Sequence, residues 1–199
     1  MSDIICVTNR HLCREDIVER IRALAAARPR AVILREKDLS PQEYRALAQQ
    51  ALAACADYGV PCVLHGFAGV ARELEAQALH LPLPALRQLS AAERAAFPVL
   101  GASCHSVEDA REAEALGCTY ITAGHIFATD CKRGLPGRGV VFLARVCRSV
   151  ALPVYAIGGI GPESIASLRA AGAAGACVMS GAMTCEDPAA FLASFKEKT

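Results

Sequence analysis

His125, Thr129, Lys132 and Arg138 fall within one short stretch, Gly124-His125-Ile126-Phe127-Ala128-Thr129-Asp130-Cys131-Lys132-Arg133-Gly134-Leu135-Pro136-Gly137-Arg138-Gly139. An imidazole titrates near ~6.5, so His125 can take and return a proton around neutral pH. Thr129 brings a hydroxyl donor, and Lys132 and Arg138 bring positive charge for an anion. The apolar run before them, Thr119 to Gly124, reads as a strand. His125 then stands just past its C-terminal end, where catalytic groups gather in parallel α/β folds. The glycines at 134, 137 and 139 predict a loop able to close over a bound substrate.

Other strand ends carry chemistry too. Leu34-Arg35-Glu36-Lys37 places three charges where an apolar run stops, and Arg35 and Lys37, if they face the site, bind a phosphate or a carboxylate. Gly158-Gly159 follows the seventh apolar run and Met179-Ser180-Gly181 ends the eighth, so backbone N–H groups and the Ser180 hydroxyl form a candidate phosphate cradle. Ser103 and His105 end the fifth run, the histidine suiting a hydrogen-bonding role beside the Ser106 cap; His65 ends the third. His11 and His80 carry little signal.

The elements needed to position these groups are legible as a repeat. Short β-branched runs occur at Ile4–Thr8, Ala31–Leu34, Pro61–Leu64, Leu79–Leu81, Val99–Ser103, Thr119–Ala123, Pro153–Ile157 and Ala176–Ser180, with alanine-rich amphipathic segments between them. Ser40-Pro41-Gln42-Glu43 combines an N-cap, a first-turn proline and a capping-box glutamate, and Asp187-Pro188 repeats the cap-and-proline signal. Gly59, Gly117 and Gly172 suit helix C-caps. Strands alternating with helices predict an α/β fold, a (β/α)8 TIM barrel, in which 199 residues leave room for a single domain over 1–199. A doubly wound open sheet is the alternative. The fourth unit, broken by Pro82 and Pro84, is the weakest.

Composition narrows the function. With 21 basic against 20 acidic residues, no basic block and no Trp, nothing marks a nucleic-acid or anionic membrane surface. Small-molecule chemistry remains. The N-terminal Met-Ser-Asp lacks a signal-peptide pattern, so a cytoplasmic protein is expected, and the ten cysteines, without a C-x-x-C pair, read mostly as packing thiols; Cys131, in the loop, is the exception. No carboxylate follows the third or fourth run and no histidine cluster has zinc spacing, so chemistry with no metal and no cofactor is expected. Homo-oligomer formation is left open.

In order along the chain, Leu34-Arg35-Glu36-Lys37, Gly101-Ala102-Ser103-Cys104-His105, Gly124-His125-Ile126-Phe127, Thr129-Asp130-Cys131-Lys132, Ala156-Ile157-Gly158-Gly159 and Val178-Met179-Ser180-Gly181 resemble the thiamine phosphate synthase/TenI superfamily over all eight units. Within it the chain is similar to TenI-type thiazole tautomerases more than to the synthases. His125 stands where the synthase pattern has proline, His65-Gly66 where it has Asn-Asp, Leu81-Pro82-Leu83-Pro84 where it has an acidic residue for Mg²⁺ and pyrophosphate, and Ile33 where it has glutamine. The resemblance implies an isomerase that aromatises a thiazole phosphate carboxylate. In that role His125 is catalytic, and Arg35, Lys37, Ser103, Thr129, Lys132, Gly158, Gly159, Met179 and Ser180 bind the thiazole phosphate. The alternatives are a thiamine phosphate synthase coupling thiazole phosphate to a pyrimidine pyrophosphate with Mg²⁺, and a non-catalytic thiazole phosphate-binding regulatory barrel.

Overall fold

The computed structural model describes residues 3–129 and 134–196. All eight predicted runs form strands: β1 Ile4–Val7, β2 Ala31–Leu34, β3 Cys62–His65, β4 Ala78–Pro82, β5 Val99–Cys104, β6 Tyr120–Gly124, β7 Val154–Ile157 and β8 Gly175–Val178. They close into a barrel in sequence order, which excludes the open doubly wound sheet. The registers are parallel, with Ile33 opposite Val63, Ser103 opposite Thr122 and Ile157 opposite Cys177. Pro61 and Pro153 fall just before β3 and β7. They lack an N–H for the ladder, yet their carbonyls accept from Val32 and Ile121.

The helices are α1 Ile17–Ala26, α2 Pro41–Ala56, α3 Ala68–Glu73, α4 Leu83–Arg87, α5 Ala91–Ala95, α6 Val107–Ala115, α7 Gly139–Ser149, α8 Ile165–Ala170, α9 Ser180–Thr184 and α10 Pro188–Ser194. Two compact units emerge: residues up to Leu79 together with those from Val178 onward, and His80–Cys177.

In the first unit, α1 is capped by Asp16, which accepts from the Val18 N–H, and buries Ile21, Leu24 and Ala25. The predicted Ser40–Glu43 capping box starts α2, whose buried Tyr44, Ala48, Ala51 and Cys55 recur at helical spacing. Small alanines let α1 and α2 pack closely on each other. Asp187 caps α10 as expected, through the N–H groups of Ala189 and Ala190.

In the second unit, Ser106 caps α6, which buries Ala110 and Ala113, and Arg87 grips Glu112 through two hydrogen bonds of 2.6 and 2.7 Å. The proline-broken fourth unit resolves simply: β4 runs to Pro82, and Pro84 sits in the first turn of α4, where a missing N–H removes no helical bond.

One predicted boundary is corrected. The eighth run was expected to stay extended through Ser180, but β8 ends at Val178, Met179 turns to φ −118° and ψ −72°, and Ser180 begins α9. Thr184 Oγ1 donates to the Ser180 carbonyl at 3.0 Å, holding that turn helical.

Candidate functional site

In the first unit the Arg-Glu-Lys stretch is organised around Glu36. Its carboxylate is 2% exposed and accepts from Thr8 Oγ1 at 2.7 Å, from the Arg10 N–H at 3.1 Å to each oxygen, and from Arg10 Nη1 at 3.4 Å. A buried carboxylate needs such partners, because desolvation penalises an unpaired charge heavily. Thr8 Oγ1 also accepts from the Arg35 N–H at 2.9 Å, so one threonine links β1 to the segment after β2. Arg10 continues outward to Asp38 by two bonds of 2.6 Å, and His11 reaches the same carboxylate at 2.9 Å. These partners hold the Asp38 carboxyl well below the usual carboxylate range, the Arg10 hydrogen bonds foremost.

Glu36 is thereby a structural anchor between the two cations of interest. Arg35 is half-buried and Lys37 exposed, and both lie near His65 at the end of β3. Burial first, then the charges of Arg35 and Lys37, hold the His65 imidazole down at about 4, so it is neutral at physiological pH. His65 is 5% exposed, and its backbone N–H donates to the Tyr44 hydroxyl at 2.8 Å. Arg35 and Lys37 are thus brought to one place, suited to an anion. Met179 is half-buried and Ser180 exposed at the start of α9.

In the second unit, three histidines make contacts around β5 and β6. His105 Nδ1 donates to the Gly124 carbonyl at 2.9 Å, and its N–H donates to Asp109 at 2.7 Å, so His105 fastens the end of β6 beside the Ser106 cap as anticipated. His125 follows a cis Gly124–His125 peptide, and its Nε2 lies 3.4 Å from the Leu135 carbonyl on the far side of the loop. His80, which the sequence made unremarkable, is 2% exposed and spans from the Tyr120 hydroxyl to Ser103 Oγ, each at 2.9 Å.

The described ends of the segment after β6 are tied to the barrel and to each other. Ile126 N–H donates to the Ile157 carbonyl and Phe127 N–H to that of Gly158, while the N–H groups of Arg138 and Gly139 donate back to His125 and Ile126. A Cβ on Gly137 would sit 2.5 Å from the Ile126 carbonyl oxygen, so this glycine permits close packing of the two ends of the loop. The Arg138 guanidinium lies 5.3 Å from the centre of the Phe142 ring, stacked on α7. Thr129 is half-buried beyond β6; Lys132 and Cys131 lie outside the described residues.

Gly158 and Gly159 adopt φ of 100° and 65°, and a Cβ on either would collide with the 125–128 backbone or its side chains, at 2.4 Å from His125 Cβ and 2.3 Å from the Ala128 carbonyl oxygen. Their first role is this passage of one loop over another. Two residues on, the Glu163 carboxylate occupies the side-chain space over Gly161.

A magnesium ion, which a pyrophosphate-handling member of this superfamily implies, requires hard oxygen ligands. β3 ends in His65-Gly66 and β4 in Pro82-Leu83, and among the described residues no group of three His, Cys, Asp or Glu side chains could hold a metal ion. The residues at these strand ends do not fit the ion. The nine cysteines among the described residues are free thiols; Cys6, Cys62, Cys104, Cys118 and Cys177 are buried as packing groups, and burial pushes Cys6 and Cys104 up to about 12. No helix among the described residues is long and apolar enough to cross a membrane.

Comparison with known proteins sharpens the assignment. The family model described as thiamine monophosphate synthase matches residues 4–182. The thiamine-phosphate synthase of Syntrophomonas wolfei is 32% identical over 188 residues, covering 91% of this chain and 88% of that protein. Thiamine-phosphate synthase 2 of Streptococcus pneumoniae is 34% identical over 201 residues, covering 96% and 92%. The structure of a thiamine phosphate pyrophosphorylase from Pyrococcus furiosus superposes with a TM-score of 0.82 at 26% identity, covering 96% of this chain and 92% of that one. These relatives overturn the expected isomerase: the similarity runs to proteins named as synthases, so the thiazole tautomerase reading, and with it the proton-relocating role of His125, is withdrawn.

Proposed function

From the premise that the chain belongs to the thiamine monophosphate synthase family, we propose that it is a transferase that forms thiamine phosphate, coupling a thiazole phosphate to a pyrimidine methyl pyrophosphate with loss of pyrophosphate. The observation that carries this reading is the pairing of Arg35 and Lys37 near the neutral His65 at the ends of β2 and β3. Two cations near a buried imidazole suit a pyrophosphate whose negative charge grows as it leaves, since charge stabilisation is the largest lever on such a step.

The remaining groups are assigned as binding residues. Within the second unit Ser103 offers a hydroxyl from β5, Thr129 another from beyond β6, and the Gly158-Gly159 turn backbone N–H groups for a phosphate; within the first the Met179-Ser180 turn offers the same kind of donors, and Lys132, outside the described residues, is the remaining cationic candidate. His125 takes the place of a proline in the synthase pattern and contributes a polar wall beside the substrate. The chain acts as a single catalytic domain.

A second reading has one observation in its favour. The missing carboxylates after β3 and β4 suit a barrel that binds thiazole phosphate without coupling it. Incubating the purified chain with thiazole phosphate and the pyrimidine pyrophosphate, with product followed by mass spectrometry and thiazole phosphate binding by calorimetry, separates the two. Product supports the synthase; binding without product supports the second reading and sinks the first.

A further inference from the structure

Tyr120, His80 and Ser103 form a hydrogen-bonded chain along one face of β4, β5 and β6, with His80 Nδ1 2.9 Å from the Tyr120 hydroxyl and His80 Nε2 2.9 Å from Ser103 Oγ. Tyr120 is 7% exposed and His80 2%. Ser103 is half-buried near the C-terminal end of β5, the end at which parallel α/β barrels meet their ligands. Gly101 stands two residues earlier on the same face. A Cβ there would lie 2.3 Å from Tyr120 Cζ and 2.6 Å from His80 Nδ1, so the strand omits a side chain where the histidine and the phenol meet. The Tyr120 ring is further held edge-on to Tyr155, with centroids 5.9 Å apart.

We propose that His80 is a positioning residue: locked by Tyr120 in the tautomer that carries its proton on Nε2, it donates to Ser103 Oγ and so turns the serine's own proton toward an anionic ligand of the phosphate class. The inference rests on the anion-binding reading above. It follows from proton counting. Burial holds the phenol in its neutral form, so Tyr120 has a proton to place, and His80 Nδ1 is the acceptor at hydrogen-bond distance. A neutral imidazole has one N–H, which is then on Nε2. Ser103 Oγ must accept it, and the serine hydrogen, excluded from the imidazole, is left to donate elsewhere. The opposite tautomer would bind that hydrogen to Nε2 and leave the serine presenting lone pairs, which repel an anion.

The test uses the whole chain with ¹⁵N-labelled imidazoles. A long-range proton–nitrogen NMR correlation, with His80 assigned by its disappearance in His80→Gln, shows Nε2 protonated and Nδ1 bare; Tyr120→Phe lets the two tautomers mix. Calorimetry with inorganic pyrophosphate as the probe shows Ser103→Ala and His80→Leu each binding about tenfold more weakly, the scale of one hydrogen bond to a charged group. His80→Gln, whose amide N–H can replace Nε2–H, stays within about threefold of wild type. A proton found on Nδ1 in the wild-type chain overturns the proposal, as does pyrophosphate affinity unchanged in His80→Leu or absent in the wild type. The tautomer is read on the unmodified chain, so a variant that fails to fold does not shield the idea. Neither readout requires coupling, so failure of the synthase reading alone leaves both results standing.

Discussion

The Tyr44 hydroxyl accepts from the His65 backbone N–H at 2.8 Å while donating to the Leu34 carbonyl at 2.7 Å, so one phenol on α2 ties the ends of β2 and β3 together. The ring stacks on Phe67 with centroids 4.1 Å apart. Tyr44→Phe keeps that stacking but strands a buried donor and a buried acceptor. A loss of about 2–4 kcal/mol is expected in urea unfolding, with the slope unchanged. A loss under about 0.5 kcal/mol would show that the bridge is not holding the strand ends.

Gly101 gives a packing prediction. With no space for a Cβ between Tyr120 and His80, Gly101→Ala must displace one of them, and overpacking of this kind destabilises by about 1–3 kcal/mol. The thermal midpoint should fall, and Tyr120→Leu in the same chain should recover part of it. An alanine variant as stable as wild type would mean that the pair can move apart freely.

His65 predicts the pH dependence of stability. Its pKa is lowered to about 4 in the folded chain, against about 6.5 unfolded, so the unfolded state binds more protons between those values. The folded state therefore incurs no penalty above pH ~6.5 and loses stability as the pH falls from there toward ~4. The full difference corresponds to roughly 3 kcal/mol as an upper figure. Urea melts of wild type and His65→Leu at several pH values should show the acid slope shrinking in the variant; parallel slopes would place the titration elsewhere.

Arg35 and Lys37 are linked to the same imidazole. Arg35→Ala or Lys37→Ala should weaken binding of inorganic pyrophosphate by about tenfold, and should let the His65 pKa rise toward its ordinary value. Calorimetry and the ¹H NMR titration of His65 read the two effects. Unchanged affinity together with an unchanged titration would remove both cations from the anion site.

The metal expectation is equally direct. Because the ends of β3 and β4 supply no carboxylate, EDTA should change the coupling rate by less than about threefold. Steady-state rates with chelator and with added Mg²⁺ make the comparison. A rate abolished by chelation would show that magnesium enters with the substrate or on residues beyond those strand ends.

The barrel was legible because each of its signals is local. β-branched runs, the Ser40–Glu43 box and the positive-φ glycines at 59, 117 and 172 mark strand, helix start and helix end without reference to distant residues. The end of β8 was misread since a five-residue helix beginning at Ser180 carries too little periodicity to stand out from a strand tail. His80 was missed for a different reason: its partners, Ser103 and Tyr120, are 23 and 40 residues away, and only the pairing of β4, β5 and β6 assembles them. Glu36 likewise revealed its anchoring role only through Thr8 and Arg10. The activity was misjudged by weighing single departures, His125 for proline and His65-Gly66 for a polar pair, above the similarity sustained along the whole chain.

The most direct measurement of the central claim is product formation by the purified chain from thiazole phosphate and the pyrimidine pyrophosphate, with thiamine phosphate and released pyrophosphate quantified together. The synthase account predicts the two products in equal amounts, with the rate reduced by about tenfold or more in Arg35→Ala. Thiazole phosphate bound tightly with neither product formed, with or without added Mg²⁺, would contradict it.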